Sequence, residues 1–327
     1  MKRNDFWQNK VTIITGGMGF VGSWLAATIS SKGGKVIVVD HNIQKKHDLA
    51  IAEVENQVMF LQGDITNYQF VSGIFSTYEP DYVFHLAGQA IIEEFVLNPL
   101  PSFESNIKGT WNLLEACRVK GSVKGIVVAS SYKVYGNQNN SCYSEESPLL
   151  GILPYDAAKI CVDVLSRSYY AGFGLPIAVT RCANTYGGGD LSLSRIIPQA
   201  MHSFLNGKEL AIRSDGTPQR DYLYIKDAVA GYIAIAEALH REDIKGQAFN
   251  LGSGKSISVL ELTKKIGTIV GKDVSFAVLK EAQNIIDDQY LDIGKAMNIL
   301  GWQPRYTLEA GLKESVAWYK EYFGAKR

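Results

Sequence analysis

Tyr155 and Lys159 stand four residues apart, a spacing that puts two side chains on one face of a helix. A lysine ammonium beside a phenol favours the phenolate, moving a group with a free pKa of about 10 toward neutral pH. A tyrosine so placed can take a hydroxyl proton while hydride leaves the same carbon. The hydride needs an acceptor, and a second pattern supplies a place for one: Gly16-Gly-Met-Gly19-Phe-Val-Gly22, whose glycines recur at spacing three. It follows an apolar run and opens a helical pattern, where a tight turn must bring backbone N–H groups against a pyrophosphate and side chains would collide with it. Asp40 ends the next apolar run. There its carboxylate can accept from ribose hydroxyls and would repel a 2′-phosphate, which favours NAD over NADP. Lys45 and Lys46 follow closely and keep NADP in view.

Positioning these residues falls to a regular alternation of elements. Apolar, β-branched runs at 11–15, 36–40, 58–62, 82–86, 125–130 and 177–181 are separated by stretches long enough for crossover helices. Runs buried on both faces imply a parallel sheet between helix layers, so the fold class is α/β, a doubly wound parallel sheet. After residue 183 the rhythm loosens into Gly-rich and polar loops with helical patterns at 226–239 and 259–270. The expected division is a cofactor-binding domain, mainly 1–183, and a smaller α/β substrate-binding cap, mainly 184–327, with some segments returning to the first domain and a cleft between them.

Composition narrows the partners. The 327 residues are 46% hydrophobic and carry 33 Lys plus Arg against 33 Asp plus Glu, so no global field draws the chain to nucleic acid or an anionic membrane. Any anionic ligand must be held by local groups. No stretch of 18 apolar residues occurs, and the opening run 1–9 is charged and aromatic rather than a secretory leader, which makes a cytoplasmic protein the expectation. Cys117, Cys142, Cys161 and Cys182 are widely spaced without a Cys-x-x-Cys pair, so they read as buried free thiols and no metal site is expected.

Taken with Asp64-Ile65 after the third run, His85-Leu-Ala-Gly88 after the fourth and Tyr155-x-x-x-Lys159, the glycine turn resembles that of the extended short-chain dehydrogenase/reductase family over nearly the whole chain. The resemblance implies a Rossmann-type fold, with NAD lined by Gly16, Gly19, Phe20, Val21 and Gly22. It implies Asp64 and Ile65 at the adenine, Leu86, Ala87 and Gly88 at the diphosphate and ribose, and Tyr155 with Lys159 as the catalytic pair, Lys159 also touching the cofactor. Ser131, in Ser131-Tyr-Lys-Val-Tyr135-Gly136, resembles the hydroxyl that polarises the same sugar oxygen, with Ser130 as its rival. Asn106, in Asn106-Ile-Lys-Gly-Thr110, resembles a structural position and is given no chemistry.

The second half resembles the nucleotide-sugar branch, through Arg181-Cys-Ala-Asn184-Thr-Tyr-Gly, Arg220-Asp-Tyr222-Leu-Tyr-Ile-Lys-Asp227 and Leu300-Gly-Trp-Gln-Pro304. It implies a nucleotide-diphosphate sugar as partner, with Asn184, Arg195 and Arg220 at the substrate, and a homodimer paired through the helical segments 101–120 and 157–173. Phe6-Trp-Gln-Asn-Lys10, Gly188-Gly-Asp-Leu191 and Ser194-Arg195-Ile-Ile-Pro198 resemble the CDP-glucose 4,6-dehydratase branch most closely. The hexose dehydratases place an acid pair, or Asp then Lys, after the serine; here the pair is Tyr132-Lys133. Lys133, if crowded by Lys159 and desolvated, fits as a base at C5. Tyr132 departs from the pattern, because a departing C6 hydroxyl needs an acid stronger than a phenol. The lead reading is therefore an NAD-dependent 4,6-dehydratase working through a 4-keto intermediate. A 4-epimerase, which needs only Ser131, Tyr155 and Lys159, stands beside it, and a binding protein without turnover is the third alternative.

Overall fold

A computed structural model describes residues 5–43, 55–138, 142–271, 274–280 and 288–325; Lys45 and Lys46 lie outside them. The strands are β1 (Val11–Thr15), β2 (Lys35–Asp40), β3 (Val58–Gln62), β4 (Tyr82–His85), β5 (Gly125–Ala129), β6 (Cys142–Tyr143), β7 (Ile177–Cys182), β8 (Asn184–Tyr186), β9 (Leu210–Ile212), β10 (Gln219–Arg220), β11 (Tyr222–Tyr224), β12 (Ala248–Leu251), β13 (Ile257–Ser258), β14 (Phe276–Val278) and β15 (Asp288–Leu291). The helices are α1 (Phe20–Ser31), α2 (Tyr68–Tyr78), α3 (Ile92–Leu97), α4 (Pro99–Phe103), α5 (Gly109–Lys120), α6 (Pro154–Phe173), α7 (Ile196–Leu205), α8 (Ile225–Ala238), α9 (Val259–Val270) and α10 (Leu308–Ala325).

Seven strands form one parallel sheet in the order β3-β2-β1-β4-β5-β7-β12. Its alternating residues feed two cores. Ile14, Val38, Phe84, Val127 and Ala178 pack on the side of Leu25 from α1 and Val229 and Ile233 from α8. Ile13, Val39, Val83, Ile126, Val128 and Ile177 pack on the side of Leu113 from α5, Val162 from α6 and Phe75 from α2. This double burial is the physical reason the strands read as continuous apolar runs. Strand order reverses between β1 and β4, and the crevice beyond the strand C-termini at such a point is where ligands bind in open α/β sheets.

The expected strands appear to within a residue or so, but the helical segment at 101–120 does not run as one helix. α4 begins at Pro99, and Glu104–Lys108 forms a π-helical turn before α5. The cysteine expectation also needs correction. All four are free thiols, but only Cys117 is buried, while Cys161 lies on the exposed face of α6. The second half supplies more than a cap: β12 joins the main sheet beside β7, and α8 packs on it. No helix among the described residues is long and apolar enough to cross a membrane.

Candidate active site

The chain turns sharply after β1. Gly16 has φ +69°, and a Cβ there would lie 2.7 Å from the Ala87 N. A Cβ on Gly22 would lie 2.3 Å from the Gly16 carbonyl oxygen, so only glycine lets the first turn of α1 rest on this loop. Gly19 precedes α1 without a side-chain cap and with no acid in the first turn, leaving the positive helix end, at Phe20 and Val21, for an outside anion. Asp40, at the end of β2, accepts from the Met18 N at 3.1 Å and so braces the turn from the neighbouring strand.

Across the reversal point, the Leu86 N donates to the Thr15 carbonyl (3.0 Å) and the Ala87 N to Thr15 Oγ1 (3.4 Å). Gly88 has φ +147°, and a Cβ there would lie 2.6 Å from Asn106 Oδ1. Asn106 sits on the π turn; its Nδ2 donates to the Ser102 carbonyl (2.8 Å) and the Gln89 carbonyl (3.3 Å), which fixes the amide. Its Oδ1 is a buried acceptor without a partner. A glycine cradle, an uncapped helix end and an orphaned acceptor beside Gly88 fit a dinucleotide laid over β1 and β4. Asp64 is exposed beyond β3, whereas Ile65 turns its side chain into the core under Gly109, so of this pair only Asp64 offers a side chain outward.

His85, which the sequence motif contains without a role, ties these pieces together. Burial, with Lys159 nearby, pushes its pKa down to about 3, so the ring is neutral. Thr110 Oγ1 gives its proton to the Asn106 carbonyl at 2.5 Å and can only accept from His85 Nε2 at 3.0 Å. His85 Nδ1 then accepts from Thr15 Oγ1 at 2.7 Å, which in turn accepts from Ala87. One tautomer satisfies the hydroxyls of Thr110 and Thr15 and both ring nitrogens together.

Tyr155 and Lys159 lie on α6, which Pro154 starts at its first position. Lys159 Nζ donates to the Ala129 carbonyl at 2.9 Å, and burial lowers its pKa to about 8. The expected lowering of the Tyr155 pKa is not what this geometry produces. Burial raises the phenol above its ordinary pKa, opposed by a hydrogen bond with Ser131 and by the charge of Arg195. Desolvation outweighs the favourable partners because Lys159 directs its ammonium at the β5 carbonyl. Ser130 faces away, its hydroxyl donating to the Lys159 carbonyl at 3.1 Å, so Ser131 is the hydroxyl at the phenol.

Tyr132 and Lys133 continue into a 3₁₀ turn capped by Ser131. Tyr132 is buried and its Oη accepts from Asn184 Nδ2 at 2.8 Å. Lys133 is half-buried, with Nζ 5.2 Å from the Tyr132 ring centre. Arg195, whose charge reaches Tyr155, pairs with the buried Asp190 at 3.0 Å. Arg220 lies near Tyr222 and Tyr143 and donates to the Gln219 carbonyl at 2.7 Å. Asp156 went unnoticed in the sequence. It is 3% exposed, and burial lifts its pKa to about 6 against the pull of Lys133. Its position directly after Tyr155 was the available signal. Among the described residues there is no group of three or more His, Cys, Asp or Glu able to hold a metal.

A family model described as GDP-mannose 4,6 dehydratase matches residues 13–315. The UDP-glucuronate 4-epimerase of Thermodesulfobacterium geofontis is 33% identical over 94% of this chain and 96% of its own. The CDP-glucose 4,6-dehydratase of Salmonella typhimurium is 29% identical over 97% and 92%. Among solved structures, DesIV, a dTDP-glucose 4,6-dehydratase from Streptomyces venezuelae with NAD bound, superposes with a TM-score of 0.87 at 26% identity, covering 96% of this chain and 98% of that one.

Proposed function

The chain belongs to the GDP-mannose 4,6-dehydratase family of nucleotide-sugar dehydratases and epimerases, and on that footing we propose that it is an NAD-dependent 4-epimerase of a nucleotide-diphosphate sugar. The observation that carries the choice within the family is Tyr132. It puts a phenol, already engaged by Asn184, where loss of a C6 hydroxyl calls for a carboxylic acid. Epimerisation makes no such demand. When bound, NAD supplies the hydride acceptor for C4. Tyr155 takes the C4 hydroxyl proton and later returns it, and Ser131, hydrogen-bonded to that phenol, favours its ionised form. Arg195 adds positive charge for both the phenolate and a diphosphate. Asp40 holds the ribose hydroxyls, and residues 1–183 carry most of the cofactor site while 184–327 supply Asn184, Arg195 and Arg220 to the sugar nucleotide. The copies pair through α5 and α6, which expose Trp111, Val164 and Phe173; a monomer mass by light scattering removes that pairing.

A 4,6-dehydratase is the second reading, favoured by one observation: the buried Asp156, next to Tyr155 and close to Lys133, is an acid of suitable strength near the site. In that reading Lys133 is the base at C5. Turnover of CDP-, UDP-, GDP- and dTDP-hexoses in deuterated water, read by mass spectrometry, separates the two. A product of unchanged mass with inverted C4 and no deuterium is expected. Loss of water with deuterium incorporated refutes the epimerase.

A further inference from the structure

We propose that Phe95 is a positioning residue for Tyr155: its ring packs edge-to-face on the phenol, fixing the plane in which the hydroxyl passes its proton and closing that side of the ring to water. The proposal rests on the reading of Tyr155 as the base at C4. The backbone of α6 leaves part of that geometry open. The first torsion of a helical tyrosine side chain falls into one of two wells, but the second, which spins the ring about its own axis, has only a broad preference. Spinning the ring leaves the oxygen in place. It swings the plane in which a phenol's hydroxyl hydrogen and lone pair lie, and with it the line along which a proton moves. Packing has to set that plane.

The ring centre of Phe95 stands 5.5 Å from that of Tyr155 with the planes at 84°, and Phe103 of α4 backs Phe95 at 5.7 Å and 82°. Both are geometries that aromatic pairs prefer. Phe95 is the buried residue of α3, 1% exposed, whereas Val96 and Leu97 beside it are 70% and 71% exposed, so the helix commits its packing to this one ring. The helix is tied down on both sides: Gln89 Oε1 accepts from the Ile91 N at 3.0 Å, and Ser102 Oγ donates to the Asn98 carbonyl at 2.8 Å. Polar groups act on the phenol from elsewhere: Ser131 and Tyr132 from the turn after β5, Arg195 from the loop before α7, Asp156 from α6 and Tyr232 from α8. Lys159 gives its ammonium to the Ala129 carbonyl. On α3 itself, Glu93 pairs with Arg213 at 3.5 Å and Glu94 accepts from Asn98 Nδ2 at 3.1 Å. Phe95 thus meets Tyr155 with carbon alone, and this apolar wall contributes to the burial that raises the phenol above its ordinary pKa.

The test places 3-fluorotyrosine at position 155 of the NAD-loaded full chain and follows its ionisation by fluorine NMR as pH is raised, a reading that needs no substrate. Phe95→Ala should admit water and increase the acidity of the phenol about tenfold. Phe95→Leu keeps bulk without the flat ring; it should give about a threefold increase, and it decides the matter if the alanine variant does not fold. Phe103→Leu, which disturbs the same cluster without touching Tyr155, should leave the midpoint in place. With the natural tyrosine and a sugar nucleotide that turns over, Phe95→Ala should lower kcat about 10- to 100-fold, the cost of a misaligned reacting group, with KM changed less than about twofold. An unchanged midpoint in the Phe95 variants, an equal shift in Phe103→Leu, or a loss expressed in KM with kcat intact overturns the proposal. Failure of every sugar nucleotide to turn over removes the 4-epimerase instead, and the fluorine titration still decides whether Phe95 governs the phenol.

Discussion

Replacing Lys159 by Met should destroy turnover and yet make the protein more stable at neutral pH. The buried ammonium has its pKa lowered by burial from the ordinary 10.5 to about 8. At about 1.4 kcal/mol per tenfold change in proton affinity, holding that charge destabilises the folded state by ~3 kcal/mol wherever both folded and unfolded chains are protonated, pH 7 included. Methionine fills a similar volume without charge. It forfeits the hydrogen bond to the Ala129 carbonyl, which costs about 1 kcal/mol. The net gain is ~2 kcal/mol, or roughly 3 °C in the unfolding midpoint for a chain of this length. The sign reverses with pH in a defined window. Between about pH 8 and 10.5 the folded wild type sheds the proton that the unfolded chain keeps, so its stability climbs and the advantage of the variant should vanish by about pH 10. Thermal unfolding of both proteins without nucleotide at pH 7 and pH 10 reads this directly. A variant less stable at pH 7, or a difference that does not change with pH, would refute the argument that burial of this charge is unfavourable.

Two other perturbations test the frame around the site. Asp163→Asn leaves the fully buried Arg181 without the carboxylate that it meets at 2.8 Å, and should destabilise the protein by about 3–5 kcal/mol in urea unfolding; an effect under ~1 kcal/mol would mean that Tyr135 and the Glu145 carbonyl suffice for the guanidinium. Asp40→Ala should weaken NAD more than NADP in equilibrium binding, and because Asp40 also holds the Met18 N–H, NADP should weaken somewhat as well. Equal losses for both would show that the carboxylate braces the turn without selecting the ribose.

Much of this was readable from the sequence because it rests on local rules. The glycines at 16 and 22 are forced by backbone approach, and the strand runs by burial on both faces, so both leave a pattern in consecutive residues. Counting to the Tyr135-Gly136 step favours Ser131 over Ser130, and in the structure Ser130 donates to the Lys159 carbonyl while Ser131 lies beside the Tyr155 phenol. What escaped depends on packing between distant segments. The π turn that presents Asn106, the neutral tautomer of His85 and the burial of Asp156 each arise from contacts that no spacing records. The raised pKa of Tyr155 has the same origin: an i, i+4 relation to Lys159 sets a shared helix face, but the direction of the ammonium is decided by β5.

The position of β12 has a consequence for how the protein comes into being. β7 is paired on one side by β5 and on the other by residues 248–251, some seventy positions later in the chain. As synthesis proceeds from the N-terminus, the nucleotide-binding strands β1 to β5 and then β7 are complete while the outer edge of β7 remains an open row of backbone donors and acceptors beside apolar residues, the kind of edge that invites pairing with another chain. Asn250, which locks Tyr135 and the Tyr143 carbonyl to the sheet, arrives only with β12. A nascent chain halted shortly before residue 248 is thus the species in which aggregation should concentrate, and the closing strand is delivered by the same half of the chain that carries the residues assigned to the sugar.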